Sequence, residues 1–232
     1  MREIVFDTET TGLSPLGGDR MVEIGCVEIF NRIETGRHFH CYFNPERDMP
    51  NEAEAVHGLS AMFLSDKPLF GDKAEELLEF IADAPLVAHN ATFDFGFLNF
   101  ELGRCGRPSV CMSRMVDTLQ LARTRHPGAK HSLDALCVRF GVDRSHRVKH
   151  GALLDAQLLA QVYVELTGGR QIGLGLVADT QSVSAGDGVG AVTTREPRLP
   201  RPHHAAPEEL ARHRAFIGKL ANPIWARFAS LG

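Results

Sequence analysis

Nowhere does this chain approach the roughly 18 consecutive apolar residues that a membrane-spanning helix requires, which excludes an integral helical membrane protein. A signal-peptide pattern is also lacking. Met1-Arg2-Glu3-Ile4-Val5-Phe6-Asp7 reaches a carboxylate after only three apolar residues in succession. Cysteine is scarce: the five present (Cys26, Cys41, Cys105, Cys111, Cys137) are odd in number and form no C-x-x-C pair. That argues against a disulfide scaffold or a zinc ribbon, and for a reducing cytoplasm. No internal repeat or low-complexity array is visible, and tryptophan occurs once.

What is present is ordinary globular composition, 44% hydrophobic and 23% charged over 232 residues. This is enough for one domain of about 150–200 residues with a real core, and it excludes disorder of the whole chain. The net charge is −4 but unevenly spread: residues 1–176 are acidic in balance and residues 194–232 basic. An acidic body leaves nucleic-acid binding open, because carboxylates gathered around divalent cations make the formal charge negative while the loaded site is not.

The texture changes along the chain. Residues 1 to about 170 alternate strand and helix signals. Residues 177–204 are rich in Gly, Ser, Thr and Pro without a period, the composition of a flexible linker. Residues 205–232 regain apolar spacing at Leu210, Phe216, Ile217, Leu220, Ile224 and Trp225. Pro207 and Glu208 are suited to open a short helix there. A segment this short cannot build its own core, so it is expected to dock on something. Within the first part, Ile4-Val5-Phe6, Val22 to Ile29 and His38 to Phe43 read as three strands of an antiparallel meander. Turns are expected at Gly17-Gly18 and Glu34-Thr35-Gly36. Helical spacing predicts helices over 72–83, 93–103, 114–123, 132–140 and 152–166, with one more strand at Leu86-Val87-Ala88. Ser132 suits an N-cap and Gly141 a stop. The result is an α/β fold, a mixed sheet flanked by helices, followed by the linker and the short helical tail.

Chemistry concentrates at four acids and a histidine. Asp7 and Glu9 follow the first strand two residues apart, so on an extended backbone both carboxylates project from one face. Held that close they repel unless a cation lies between them, and hard oxygen ligands favour Mg²⁺ or Mn²⁺. A solvated turn would give the same D-x-E. Asp94, in Asn90-Ala91-Thr92-Phe93-Asp94, falls in the first turn of a helix after a central strand, where α/β sites gather and where a capping acid is equally at home. Asp155 stands among Ala152-Leu153-Leu154 and Leu158-Leu159. A carboxylate on the inner face of such a helix is costly unless paired or metal-bound, whereas on the outer face it is an ordinary exposed acid. His150 precedes it by five residues. Phe93, Phe95 and Phe97 are spaced for core packing or for an apolar wedge. His38, His40 and Cys41 lack a second ligand pair with zinc spacing, and His203-His204 reads as solvated. Arg123, Arg125, His126 and Lys130 make a modest basic cluster suited to a phosphate backbone or to solvent.

Taken together, D-x-E after the first strand, N-A-x-F-D after a later one and H-x-x-x-x-D in the last long helix resemble the three motifs of the DEDDh 3′→5′ exonucleases. Phe6-Asp7-Thr8-Glu9-Thr10-Thr11-Gly12, Val56-His57-Gly58, His150-Gly151-Ala152-Leu153-Leu154-Asp155-Ala156 and Thr167-Gly168-Gly169 extend the likeness. They extend it toward the proofreading subunits of bacterial DNA polymerase III. The resemblance covers residues 1–170 and implies a ribonuclease-H-like exonuclease domain acting on DNA with a 3′ end. It also implies two divalent cations, Mg²⁺ or Mn²⁺, with Asp7, Glu9 and Asp155 as direct ligands and Asp94 supporting the second ion. His150 takes the place of the general base, and Glu52 and His57, with Asp7, Glu9 and Asp155, contact the terminal nucleotide. Two cations about 3.5–4 Å apart can generate a nucleophile and relieve charge at the leaving 3′ oxygen. A histidine with pKa near about 6.5 suits the proton transfer.

Beyond the domain, Gln171-Ile172-Gly173-Leu174-Gly175-Leu176 resembles the Q-x-x-L-x-[LF] peptide that binds the bacterial sliding clamp, with Gln171, Leu174 and Leu176 as the groove-filling residues. In proofreading subunits of this kind the tail anchors to the polymerase III catalytic alpha subunit. Here Phe216, Leu220, Ile224 and Trp225 are the candidate anchors, although the tail departs from the family's sequence. Two other functions compete. A free-standing DEDDh exonuclease acting on RNA or short oligonucleotides would need no tether, which the linker and apolar tail argue against. A non-catalytic adaptor would lack an acid, and all four are present.

Overall fold

The computed structural model describes residues 1–145, 147, 149–169 and 205–220. The peptide 171–176, the linker 177–204, and Ile224 and Trp225 of the tail lie outside the described residues. The chain divides into two units, Met1–Val177 and Ala178–Gly232.

The first unit holds five strands, β1 (Arg2–Thr10), β2 (Met21–Phe30), β3 (Ile33–Tyr42), β4 (Leu86–Ala88) and β5 (Met115–Asp117). Helices α1 (Asn51–His57), α2 (Ala61–Leu64) and α3 (Phe70–Ile81) lie between β3 and β4. Helix α4 (Ala91–Arg104) follows β4, and α5 (Thr118–Arg125), α6 (Leu133–Phe140) and α7 (Ala152–Leu166) follow β5. The strand order is β3-β2-β1-β4-β5. The first three strands pair antiparallel, while β1–β4 and β4–β5 are parallel. This is the mixed sheet flanked by helices that the sequence predicts, with β1 at its centre.

Two expectations are corrected. The tight turn between β2 and β3 is Asn31-Arg32, with φ of 50° and 67°, and not Glu34-Thr35-Gly36. The pairs Phe30–Ile33 and Ile29–Glu34 leave only two residues to reverse the chain, and positive φ at both is the type I′ form of such a loop. The helix expected over 114–123 is instead strand β5 followed by α5. Met115, Val116 and Asp117 extend the parallel ladder against Leu86, Val87 and Ala88, and the Asp117 carboxylate then caps α5 by accepting Leu119 N–H at 2.9 Å. The caps expected for α6 are present: Ser132 Oγ accepts Ala135 N–H at 3.3 Å, and Gly141 closes the helix at φ 68°.

Alternation along β1 divides the core. Ile4 and Phe6 pack with Ala74 and Leu77 of α3 and Phe95 and Leu98 of α4. Val5 points the other way, with Val87, toward Leu159, Ala160 and Tyr163 of α7. Each large side chain so buried contributes about 1.5–3 kcal/mol. A buried ion pair ties α4 to the start of β2: Arg20 forks onto Glu101 at 2.8 and 3.0 Å, and Glu101 also accepts Met21 N–H.

Gly25 sets how close α7 approaches. It faces Asp7 across the β1–β2 ladder. A Cβ there would stand 2.3 Å from Leu153 N and Cα and 2.4 Å from the Ala152 carbonyl carbon. The first turn of α7 therefore lies directly on β2, beside the carboxylates of β1.

In the second unit, α8 (Pro207–Ile217) starts with proline, and its Glu209 carboxylate accepts the Ala206 N–H at 3.0 Å. None of its residues is buried. Leu210 and Phe216, with Leu220 just beyond it, are exposed, Phe216 to 61%. Among the described residues no helix is long and apolar enough to cross a membrane.

Candidate active site

Asp7 and Glu9 share the α7-facing side of β1, as the two-residue spacing predicts. Helix α7 brings Asp155 over them from its first turn. Asp94 comes from the opposite face, in the first turn of α4 beyond the end of β4, and is held by the Thr8 hydroxyl, which donates to Oδ1 at 2.7 Å. Glu9, Asp94 and Asp155 are buried and Asp7 half-buried. All four line one cleft of about 720 Å³, whose walls include Phe93, Arg123, Asp134, Arg147 and the exposed His150. Ligand atoms of Glu9, His150 and Asp155 lie within 4.8 Å of one another.

The electrostatics are those of acids crowded together out of water. Burial, and then Asp94, Glu9, Asp155 and Glu23, hold the Asp7 carboxyl well above the usual carboxylate range. Burial, with Glu23 and Asp155, pushes Glu9 up to about 8, while Arg147 pulls it down. Burial raises Asp94 to about 7 against the stabilising hydrogen bond from Thr8. The cation bonded to these acids is Arg147, whose Nε and Nη2 meet Asp155 Oδ1 and Oδ2 at 2.5 and 2.7 Å.

A pH dependence follows. In the unfolded chain these carboxyls ionise near about pH 4. Between about pH 7 and about pH 8.5 the folded, metal-free chain therefore holds protons that the unfolded chain has lost, and its stability falls as pH rises. His57 and His89, both depressed by burial, act with the opposite slope mainly below that window. In EDTA the melting temperature is expected to be lower at about pH 8.5 than at about pH 7, and a divalent cation is expected to close the gap. A flat profile would show that the acids are solvated.

Beside the cleft and sharing Thr8, Glu9 and Phe93 with it is a smaller cavity of about 340 Å³, lined also by Glu52, Val56 and His57. Glu52 is exposed on α1 and His57 buried at its end. His57 Nδ1 accepts Leu59 N–H at 3.0 Å, which puts the ring proton on Nε2, and that buried atom has no partner. Of the three phenylalanines, Phe95 and Phe97 are core and only Phe93 reaches the site. His40 is spent on the buried Glu23, at 2.7 Å. Arg123 of the basic cluster lines the cleft. Sequence reasoning passed over Thr8, Glu23, Asp134 and Arg147. Thr8 had a signal, being the residue between two candidate ligands.

Helices on both faces of a mixed sheet, with four acids converging where β1 meets α7, mark an exonuclease domain, and residues 4–163 match the family described as Exonuclease. The ribonuclease-H-like fold is shared with Exonuclease X in complex with 5′ overhanging duplex DNA (TM-score 0.55, 24% identity, 71% of this chain and 90% of that one). It is shared too with the nuclease domain of 3′hExo, a DEDDh family member, bound to rAMP (TM-score 0.62, 15% identity, 72% and 91%). The chain belongs to the family of DNA polymerase III epsilon subunits. It is 48% identical to that of Rickettsia typhi over 225 residues, covering 95% of this chain and 97% of that protein. To that of Escherichia coli it is 41% identical over 224 residues, covering 93% and 92%. Exonucleases of the DEDDh kind work with two divalent metal ions.

Proposed function

We propose that this chain is the proofreading subunit of a bacterial replicative polymerase, a cytoplasmic 3′→5′ exonuclease that removes mispaired 3′-terminal nucleotides from DNA. In this reading Asp7, Glu9 and Asp155 offer direct ligand oxygens to two Mg²⁺ or Mn²⁺ ions, and Asp94, aimed by Thr8, supports the second. The donor set fits: hard oxygens crowded in one cleft, where burial and neighbouring acids make the carboxyls of Asp7, Glu9 and Asp94 prefer a proton or a cation to bare charge. When bound, two such ions supply an activated water and charge relief at the leaving 3′ oxygen. His150, exposed at the cleft, accepts the proton of the attacking water on a ring nitrogen. Glu52 and His57 hold the terminal nucleotide, for which the unpartnered Nε2 of His57 is a ready donor. The observation that carries the reading is the convergence of the four acids in a chain 41–49% identical to DNA polymerase III epsilon subunits.

The partners belong to the same proposal. Phe216 and Leu220, with Ile224 and Trp225 beyond the described residues, anchor to the catalytic alpha subunit. Support comes from a helix that leaves its apolar side chains exposed and buries none. Gln171, Leu174 and Leu176 engage the sliding clamp. The test is release of 3′ nucleotides from mismatched primer–template DNA against short RNA, with and without the polymerase catalytic subunit. We expect magnesium-dependent release from mismatched DNA, accelerated when the catalytic subunit tethers the chain at the primer end. Preference for RNA, with no effect of the polymerase, would establish a free-standing RNA exonuclease instead.

A further inference from the structure

The buried guanidinium in the cleft has no part in the reaction described above, yet it touches two of its groups. Arg147 lies on the loop between α6 and α7, and its side chain is 9% exposed. It forks onto both oxygens of Asp155, donates through Nη2 to His150 Nδ1 at 2.8 Å, and reaches Asp134 Oδ1 through Nη1 at 3.0 Å. We propose that Arg147 is the resident counter-cation of the metal-free site: it competes with a divalent cation for Asp155 and passes to Asp134 when the site loads.

The chemistry on each side of the guanidinium supports this. A planar fork that spans both carboxylate oxygens occupies the directions from which a metal ion would approach. A guanidinium and a divalent cation repel at such distances in a buried site, so each weakens the other's hold on Asp155. Asp134, in the first turn of α6, is already in contact and is 45% exposed; its Oδ1 also accepts Arg144 Nη1 at 2.6 Å, so it is Oδ2 that can take the second arm of the fork without a long movement. The same displacement frees His150. A guanidinium only donates, so the ring nitrogen facing Arg147 has its lone pair engaged. That lone pair becomes available when Arg147 leaves. Loading of the site and release of the general base are then one event, and an empty site holds its base occupied.

The inference rests on the reading of Asp155 as a ligand, and the experiment separates the two. Mn²⁺ binding to the full chain is measured by calorimetry, with metal-free melting in EDTA as a second readout. Arg147→Gln is expected to bind Mn²⁺ about tenfold more tightly and to melt lower without metal, since four crowded acids lose their cation. Arg147→Lys, which keeps the charge but not the fork, should fall between. Asp134→Asn, which removes the receiving carboxylate from a half-exposed position, should weaken Mn²⁺ binding several-fold. It decides the matter should Arg147→Gln fail to fold. Equal or weaker Mn²⁺ affinity in Arg147→Gln, or unchanged affinity in Asp134→Asn, overturns the proposal. Unchanged affinity in Asp155→Asn overturns instead the assignment of Asp155 as a ligand.

Discussion

Asp7→Asn is expected to reduce magnesium-dependent release of 3′ nucleotides by about 10³-fold or more. The metal-free protein should remain at least as stable as its parent. The first half follows from the worth of a catalytic cation, several kcal/mol at the transition state, with about 1.4 kcal/mol for each factor of ten. The second half follows from the electrostatics of Asp7, whose ionised form is opposed by burial and by three neighbouring acids of the cleft. An amide of the same shape removes that conflict, the usual trade of stability against function at a site. Asp155→Asn should be equally inactive but melt lower, because it strips Arg147 of its buried partner. Single-turnover hydrolysis at saturating Mg²⁺ and melting in EDTA measure both halves, and near-parental turnover by Asp7→Asn would sink the site.

Gly25→Ala is expected to cost about 1–3 kcal/mol or more in stability and about 10²-fold in turnover, although the residue carries no chemistry. The new methyl group would meet backbone atoms of Ala152 and Leu153 at 2.3–2.4 Å, and backbone cannot turn aside as a flexible side chain can. Helix α7 must lift, carrying Asp155 away from Asp7 and Glu9, and displacements of about 1 Å at reacting groups cost about this much in rate. Gly96→Ala is the comparison. It lies on an exposed face of α4 with open space around its Cβ, where alanine should gain about 0.5–1 kcal/mol. Denaturant melts of the two variants should diverge in sign, and only Gly25→Ala should lose steady-state rate. Full activity in Gly25→Ala would mean that the seating of α7 does not set the geometry.

The elements legible from sequence were those whose side-chain period met a large buried surface. Ile4-Val5-Phe6 and the apolar face of α7 announced themselves because both are buried, Ile4 and Phe6 against α3 and α4 and Val5 against α7. Met115-Val116-Asp117 did not, since α5 follows it without a break and its helical spacing absorbs the three residues. Asp7, Glu9 and Asp155 could be singled out because strand spacing or apolar surroundings make an acid conspicuous. Asp94 was joined to them only by the likeness to the exonuclease motifs, because it reaches them from the far side of the sheet and no spacing reveals that. Arg147 was hidden for another reason: between Arg144 and Lys149 a charge reads as solvated, and only its burial against Asp155 tells otherwise.

The packing of α7 on β1 and β2 has a bearing on how the molecule comes into being. The last long helix of the domain covers its first strand, and Tyr163 donates to Glu3 across 160 positions of sequence. No fragment that ends before α7 holds all four acids together, so the complete cleft forms only when nearly the whole domain has been synthesised. Closure over so long a loop is also the slow kind of folding step. The four acids in this architecture therefore come together late and all at once, when the last long helix seats on the first strand.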